Sequence, residues 1–177
     1  MITKTKFKGL ILIKNKKFLD SRGYFKEISR EINIKKRFPF VVMSYSKKNV
    51  LRGLHIQIKK PQGKFITVLK GKIFDVSVDL RKNSKTFGKH FSCILSEKNS
   101  KSIYVPEGFA HGFLSLDKEN YVVYSCTKYR DAKSEKSINF KDKLLNIKWP
   151  IKKNKILISD KDLLAQSFKE FQKLYVS

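Results

Sequence analysis

The sequence predicts an all-β fold, a barrel or a sandwich, that ends in a short helical segment. Short apolar segments recur through the middle of the chain and are separated by turn residues, which is typical of antiparallel β-structure. Within residues 73–80, apolar side chains such as Phe74 and Val76 alternate with polar ones, as in a strand with two unlike faces. Apolar residues at helical spacing occur only near the C-terminal end.

Eight segments carry the strand pattern, and they are Phe40–Ser46, Leu51–Gln57, Lys64–Leu69, Ile73–Leu80, Phe91–Leu95, Ile103–Val105, Phe113–Leu116 and Tyr121–Lys128. The tripeptide at residues 70–72 has a central glycine and predicts a tight turn between two of these strands. In the segment Leu163–Tyr175, apolar residues recur every three or four positions, which predicts a helix. Residues 160–162 offer aspartates for its N-terminal cap.

The composition fits a single folded domain that spans residues 1–177. Hydrophobic residues make up 41% of the chain, which excludes a disordered protein. No apolar run approaches the roughly 18 residues of a membrane span. The apolar patch at residues 9–13 is too short for a secretory signal and runs into lysines. We therefore expect a cytoplasmic protein that does not associate with membranes.

The chain is strongly basic, with a formal net charge of +25 and a pI of about 10.1. This charge alone would suggest a nucleic-acid partner. The lysines, however, are scattered along the whole chain and gather at predicted turns, and no DNA- or RNA-recognition motif accompanies them. We therefore expect a solvated basic surface that steers anionic small molecules, and no nucleic-acid partner.

Polar residues inside the predicted strands are the first candidates for a functional site, because a barrel of this size can enclose a ligand. The segment Leu51–Gln57 is the densest of these, and His55 and Gln57 share one face of it. Arg52 falls on the other face of a regular strand. Gly53 permits a bulge that would re-aim one of these side chains.

Histidine and cysteine spacing argues against a metal site. A His-x-His pair would suit a metal, but Gln57 stands where the second histidine after His55 would be. His111 lies between glycines on a predicted loop, and His55 and His111 together fall short of the three protein ligands typical of a catalytic metal. Cys93 and Cys126 form no CxxC pair, and buried free thiols are favoured over a single disulfide. His90 is interpreted as a structural histidine.

The same segments resemble, in order and without large gaps from about residue 8 to residue 162, the 3,5-epimerase family that acts on dTDP-4-dehydro-6-deoxy sugars. The matching residues are Asp20–Glu27, Val50–Gln57, Gln62–Lys64, Phe74–Arg81, Ser84–Gly88, Leu95–Asn99, Val105–Phe113, Trp149–Pro150 and Ser159–Asp162. The resemblance implies a cupin-type jelly-roll β-barrel. It further implies an epimerase that inverts C3 and/or C5 of a nucleotide-linked 4-keto-6-deoxy sugar without a metal or other cofactor.

The resemblance also assigns roles to individual residues. His55 matches the base, Asp162 the carboxylate that orients it, Tyr124 the proton donor on the opposite face of the sugar, and Lys64 the cation that faces the developing enolate oxygen. The implied substrate-binding residues are Arg22, Glu27, Ser44, Arg52, Lys64, His111, Glu135 and Lys161. In the family, the positions of Arg22 and Glu27 reach into a neighbouring subunit's site, which implies a homodimer. We also predict that Asp75 braces His111.

Two departures from the family pattern bear on specificity. Val42-Met43-Ser44 stands where the family usually has Gln-x-Asn, so the nucleotide preference is expected to be looser than, or different from, dTDP. Arg130 replaces a further family tyrosine, and Tyr129 lies one place earlier. In a strand, a shift of one place turns the side chain to the other face, and inversion of a single carbon is the expected consequence if that tyrosine selects the centre that is reprotonated.

Two alternatives stay open from the sequence. The first is a monofunctional C3 or C5 epimerase that acts on another 4-keto sugar nucleotide, such as a GDP-linked one. The second is a non-catalytic cupin that binds a sugar nucleotide, in which His55 and Tyr124 would only line the pocket. The joint presence of a base, its orienting acid, a tyrosine and a lysine favours an enzyme.

Overall fold

The computed structural model describes residues 1–30, 34–152 and 155–175. Within these ranges the strands are β1 (Ile2–Lys4), β2 (Ile11–Lys14), β3 (Lys17–Asp20), β4 (Gly23–Lys26), β5 (Phe40–Lys47), β6 (Leu51–Gln57), β7 (Lys64–Lys70), β8 (Lys72–Asp79), β9 (His90–Ser96), β10 (Lys101–Val105), β11 (Phe109–Ser115), β12 (Glu119–Cys126) and β13 (Glu135–Ser137). The helices α1 (Asp160–Leu163) and α2 (Phe168–Tyr175) follow. The predicted all-β class with a short helical end is confirmed.

Two antiparallel sheets form the body of the fold. The larger has the order β1-β2-β10-β7-β12-β5, and the smaller has the order β13-β6-β11-β8-β9. Strands β3 and β4 pair only with each other, as a separate hairpin. The chain crosses repeatedly from one sheet to the other, as in a jelly-roll barrel, where the two sheets pack face to face.

The main hydrophobic core lies between the sheets and takes side chains from both. Ile66 and Ile103 from the larger sheet and Leu95 and Phe113 from the smaller one are fully buried in one cluster. Burial of each such side chain contributes about 1.5–3 kcal/mol of hydrophobic free energy. This core fills part of the space between the sheets and holds them in place around the cavity described below.

His111 is in a strand, and the prediction of a loop around it was wrong. It lies in the middle of β11, which pairs on one side with β8 and on the other with β6. The glycines that suggested a loop have another cause. A Cβ on Gly112 would lie 2.7 Å from the carbonyl oxygen of Arg52, so the close approach of two strands requires glycine there.

The predicted helix 163–175 is divided in two. Residue Gln166 forms a parallel bridge with Ile138, and its carbonyl accepts a hydrogen bond from Asn139 N, so the chain is extended at that point. Helix α2 then begins with a capping box, in which Ser167 N donates to a carboxylate oxygen of Glu170 (2.7 Å) and Glu170 N donates to Ser167 Oγ (3.2 Å). Within the described residues, no helix is long and apolar enough to cross a membrane.

Both cysteines are free thiols, as favoured from the sequence. Cys126 is buried at the end of β12, whereas Cys93 on β9 is only partly buried. Burial raises the pKa of the Cys126 thiol. The thiol is therefore protonated at neutral pH and is a weak nucleophile.

Candidate active site

A cavity of about 610 Å³ opens between the two sheets, beyond the hydrophobic core. It is large enough for a small-molecule ligand. Most of the residues predicted for the site line it, namely Ser44, Arg52, His55, Lys64, His111, Tyr124, Glu135, Lys161 and Asp162. They come from both sheets and from α1, and they are far apart in the sequence.

His55 and Asp162 form a histidine–carboxylate pair in the cavity wall. The imidazole Nε2 lies 2.6 Å from Asp162 Oδ1, and Asp162 Oδ2 accepts a hydrogen bond from Gly53 N at 3.1 Å. Burial raises the pKa of the Asp162 carboxyl, but the hydrogen bond and charge of His55 and the Gly53 N–H together hold this pKa below its usual range. Asp162 is therefore a carboxylate that fixes the imidazole ring and leaves Nδ1 to meet a ligand.

The predicted bulge at Gly53 is present and aims two side chains at the cavity. Between the pairs His55↔His111 and Arg52↔Phe113, two residues of β6 face one residue of β11. Gly53 has a φ of +112°, and a Cβ there would lie 2.6 Å from the neighbouring Cα of β11, so only glycine fits. Because of this extra residue, Arg52 and His55 both line the cavity.

The first turn of α1 places Asp162 beside His55. The sequence predicted a cap at residues 160–162 but did not identify Ser159 as the capping residue. Ser159 is the N-cap of α1, and its hydroxyl accepts a hydrogen bond from Asp162 N at 3.3 Å. The Asp162 side chain is 5% exposed. Ser159 also lines the cavity. A serine three residues before an acidic residue is the usual sign of such a cap, and this signal was available in the sequence.

Tyr124 lies on the opposite wall from His55. It belongs to β12 of the larger sheet, whereas His55 belongs to β6 of the smaller sheet. Its hydroxyl is 3.2 Å from Ser44 Oγ on the adjacent strand β5. Burial raises the pKa of the Tyr124 phenol well above its usual range, and the Ser44 hydrogen bond offsets only part of this effect. The phenol therefore keeps its proton at neutral pH.

Lys64 is the first residue of β7 and lies in the same sheet as Tyr124. Burial lowers the pKa of its ammonium, and attraction to neighbouring groups offsets only part of the shift. Among the described residues, Lys64 takes part in no ion pair. A partly buried cation without an ion-pair partner in a cavity wall is suited to a ligand oxygen that carries negative charge.

A second histidine–carboxylate pair lies beside the first, because His111 on β11 is the cross-strand neighbour of His55 on β6. His111 Nε2 is 2.7 Å from Asp75 Oδ2, which confirms the prediction that Asp75 braces His111. Both side chains are almost completely buried. Asp75 Oδ1 has no hydrogen-bond partner among the described residues. The pair fixes the orientation of the His111 ring, whose edge-on contact with Tyr124 (6.3 Å between centroids) joins the two walls.

Glu135 lies between two cations in the cavity wall. Arg130 donates to both of its carboxylate oxygens at 3.1 Å, and Lys161 Nζ lies 2.5 Å from Oε1. Burial raises the pKa of Glu135, but these hydrogen bonds and the nearby positive charges hold it at about 2. The carboxylate is thus ionised and already paired, so a ligand that binds it must share it with Arg130.

Arg130 and Tyr129 do point in different directions, but not because of strand alternation. Strand β12 ends at Cys126, two residues short of the predicted end, so both residues lie beyond it. Tyr129 is 67% exposed and its ring packs against Phe40, while Arg130 lines the cavity. Arg130, where the resemblance led us to expect a tyrosine, is therefore part of the cavity wall.

Arg22 and Glu27 are not part of the cavity of their own chain. Arg22 is at the turn of the β3–β4 hairpin, with its side chain 88% exposed and paired with Asp20. Glu27 follows β4 and pairs with Arg30. Neither residue is among those that line the cavity. Both are placed where they can contact another molecule.

The cavity also contains residues that the sequence did not single out. Phe40, Val50, Leu157 and Ile158 are among them. These residues are chemically ordinary and share no local pattern, so only the fold shows that they meet. Within the described residues, no cluster of three or more His, Cys, Asp or Glu side chains is arranged to hold a metal ion.

Known proteins share both the sequence pattern and the fold that form this cavity. Residues 4–170 match the family described as dTDP-4-dehydrorhamnose 3,5-epimerase. A protein of that name from Methanothermobacter thermautotrophicus is 43% identical over 165 residues, which cover 90% of this chain and 89% of the relative. The chain belongs to the dTDP-4-dehydrorhamnose 3,5-epimerase family.

Solved structures of epimerases share the fold closely. The dTDP-6-deoxy-D-glucose-3,5-epimerase of Legionella pneumophila, in complex with dTDP-4-keto-L-rhamnose, has a TM-score of 0.94 and 37% identity, over 99% of this chain and 96% of that one. ChmJ, a 3'-monoepimerase from Streptomyces bikiniensis in complex with dTDP-quinovose, has a TM-score of 0.88 and 28% identity, over 96% and 89%. Epimerases that act at two carbons and an epimerase that acts at one carbon thus share this fold.

Proposed function

We propose that this protein epimerises a nucleotide-linked 4-keto-6-deoxy sugar by removing a proton beside the ketone and returning one on the opposite face. The observation that carries the proposal is the placement of His55 and Tyr124 on opposite walls of one cavity. Inversion of a carbon requires a base on one side and an acid on the other. A cavity that only binds a sugar has no need of this arrangement.

The ketone makes the reaction possible because the carbanion formed at C3 or C5 delocalises as an enolate. His55 is the base, since imidazole has a reference pKa near 6.5 and accepts protons around neutral pH. Asp162, bonded to Nε2, sets the tautomer so that Nδ1 is the accepting atom, and it stabilises the imidazolium that forms. The Gly53 N–H fixes Asp162 in turn.

Two groups of the larger sheet complete the reaction. Lys64 stabilises the enolate oxygen, and its effect is large because a dry cavity screens charge weakly. Tyr124 donates a proton to the carbanion from the face opposite His55. Its raised pKa keeps the phenol protonated until the carbanion is present. No electron transfer occurs, so the reaction requires no redox cofactor. We expect no metal either, because Gln57 stands where a second histidine ligand would be and Lys64 stabilises the enolate oxygen.

The remaining lining residues bind the substrate. Arg52 and Lys161 place positive charge at the cavity wall, which suits the diphosphate of a nucleotide sugar. The family relative bound to dTDP-4-keto-L-rhamnose supports a nucleotide sugar as the ligand class. Val42 and Ser44 on β5 line the cavity, and the Ser44 hydroxyl is hydrogen-bonded to the Tyr124 hydroxyl. We expect a nucleotide preference that is looser than, or different from, dTDP.

The test is solvent-proton exchange with a dTDP-linked 4-keto-6-deoxy sugar in heavy water. Enzyme first dialysed against a strong chelator should place deuterium at C3, at C5, or at both, and NMR assigns the position. Incorporation at one carbon only would identify a monofunctional epimerase, which the replacement at Arg130 favours. Binding without any incorporation would overturn the proposal in favour of a binding protein. Activity lost on dialysis and restored by a divalent ion would overturn the metal-free mechanism.

We also propose that two copies of the chain share their sites in a homodimer, which we expect to act in the cytoplasm, where two free thiols are normal. The hairpin exposes Phe18, Leu19 and Phe25, and it carries Arg22 away from its own cavity. An apolar hairpin with a charged tip is suited to packing on a partner and delivering the arginine to its site.

Mixing two impaired variants tests the shared site. Arg22→Ala and His55→Asn are each expected to be nearly inactive alone at low substrate concentration. After unfolding and refolding together, about half of the dimers are hybrids with one intact site, so about a quarter of wild-type activity should return. Light scattering gives the mass. A monomer, or a mixture no more active than its components, would contradict the shared dimer.

A further inference from the structure

We propose that Thr127 is a positioning residue for Lys64, and that Glu107 holds Thr127 in the orientation this role requires. The proposal rests on the proposed function, in which Lys64 stabilises the enolate oxygen. Neither Thr127 nor Glu107 is among the residues that line the cavity. Their influence on the reaction must therefore pass through other residues, and the hydrogen bonds show the route.

Thr127 binds both backbone groups of Gly63, the residue before Lys64. Its hydroxyl accepts a hydrogen bond from Gly63 N at 2.9 Å, and its own N–H donates to Gly63 O at 3.0 Å. The next pair in the ladder is Lys64 with Cys126. Lys64 is the first residue of β7, and the ladder pairs it with Val105 on β10 and with Cys126 on β12. The ladder does not extend to Gly63, so Thr127 supplies the constraint on the N-terminal side of Lys64.

Glu107 orients the Thr127 hydroxyl. That hydroxyl accepts from Gly63, and its own proton is donated to Glu107 Oε1 at 3.1 Å. Lys36 lies 3.7 Å from the same carboxylate oxygen, and the Tyr104 hydroxyl donates to Oε2 at 3.4 Å. Burial raises the pKa of the Glu107 carboxyl, but its backbone hydrogen bond, Thr127 and Lys36 together hold the pKa below its usual range. The carboxylate is therefore ionised and remains an acceptor at neutral pH.

Gly63 is enclosed by these groups. A Cβ at Gly63 would lie 2.7 Å from the Tyr104 hydroxyl and 3.2 Å from the Glu107 carboxyl group, so the backbone is in close contact with both. Lys64 has no ion pair among the described residues that would fix its head group. The position of its backbone therefore sets the region of the cavity that the ammonium can reach. A misplacement of about 1 Å at a reacting centre can cost about 100-fold in rate.

Thr127→Val is the sharpest change because valine keeps the shape and the backbone N–H but removes the hydroxyl. We expect the exchange rate at saturating substrate to fall about 10- to 100-fold with KM nearly unchanged. Thr127→Ser keeps the hydroxyl and should restore most of the rate. Glu107→Gln keeps an acceptor oxygen and should lose less than Glu107→Ala, which gives a second, independent comparison. Thermal unfolding of each variant sets an assay temperature at which all are folded.

A double-mutant cycle with Lys64→Met separates positioning from a general structural effect. If Thr127 acts through Lys64, Thr127→Val should add little to the loss of exchange rate already caused by Lys64→Met. The slow exchange of these variants is measured as deuterium incorporation by mass spectrometry after long incubation. The proposal is overturned if Thr127→Val exchanges at the wild-type rate, or if it causes the same loss in both backgrounds. A wild-type enzyme that fails to exchange any 4-keto sugar nucleotide would instead overturn the proposed function.

Discussion

The variant His55→Asn is expected to lose solvent-proton exchange almost completely. Asparagine has a similar shape and keeps some hydrogen bonding to Asp162, but it has no nitrogen that can accept a proton at neutral pH. Loss of a general base typically slows a reaction by about 10²- to 10⁴-fold, and by more when the whole path depends on it. Deuterium incorporation at C3 and C5, followed by NMR, measures the effect directly.

His90→Asn is the matched control for this experiment. His90 lies at the start of β9 and is not among the cavity residues. Burial lowers the pKa of His90, as expected of a structural histidine. The control should exchange at nearly the wild-type rate, which would show that the substitution type is harmless elsewhere. If His55→Asn exchanged as fast as wild type on a confirmed substrate, another residue would be the base and the assigned roles would be wrong.

Sequence periodicity predicted the strands well where one strand pattern was bounded by turn residues. The segment Leu51–Gln57 was predicted with the bounds that the structure shows, and Gly53 was predicted to permit a bulge that re-aims Arg52 or His55, which the structure contains. Glycine gave the correct result there because Gly53 has a positive φ, a backbone conformation that belongs to the bulge itself. It misled at His111, where Gly112 is required by a neighbouring strand rather than by a turn.

The arrangement of the site depends on pairings that local sequence does not contain. His55 and Asp162 are separated by 107 positions, and Asp75 and His111 by 36. Family resemblance supplied the roles of the first pair, and the position of Asp75 on the polar face of its own strand suggested the second. The contact of Arg130 with Glu135 was not predicted, because the loop after β12 leaves the strand geometry from which the side-chain direction was inferred.

The opposite-face geometry leads to a distinct expectation for Tyr124→Phe. This variant keeps His55, Asp162 and Lys64, so proton abstraction and enolate stabilisation persist. What it loses is the phenolic proton on the wall of the larger sheet, together with the 3.2 Å contact to Ser44. The enolate can then be reprotonated only from the His55 side, which regenerates the original configuration. Exchange should therefore continue while inversion falls by about 10²-fold or more, the usual loss on removal of a general acid.

Exchange and inversion, measured separately on the same sample, show whether Tyr124 acts only in reprotonation or also in proton abstraction or binding. NMR gives the deuterium content of the starting epimer and the amount of the inverted product. The matched control is Tyr121→Phe on the same strand, because Tyr121 packs against Tyr45 and is not a cavity residue. It should retain both activities. Exchange and inversion that fall together in Tyr124→Phe would show that this phenol is needed for abstraction or binding. Inversion that persists at the wild-type rate would mean that another group, or water, delivers the proton.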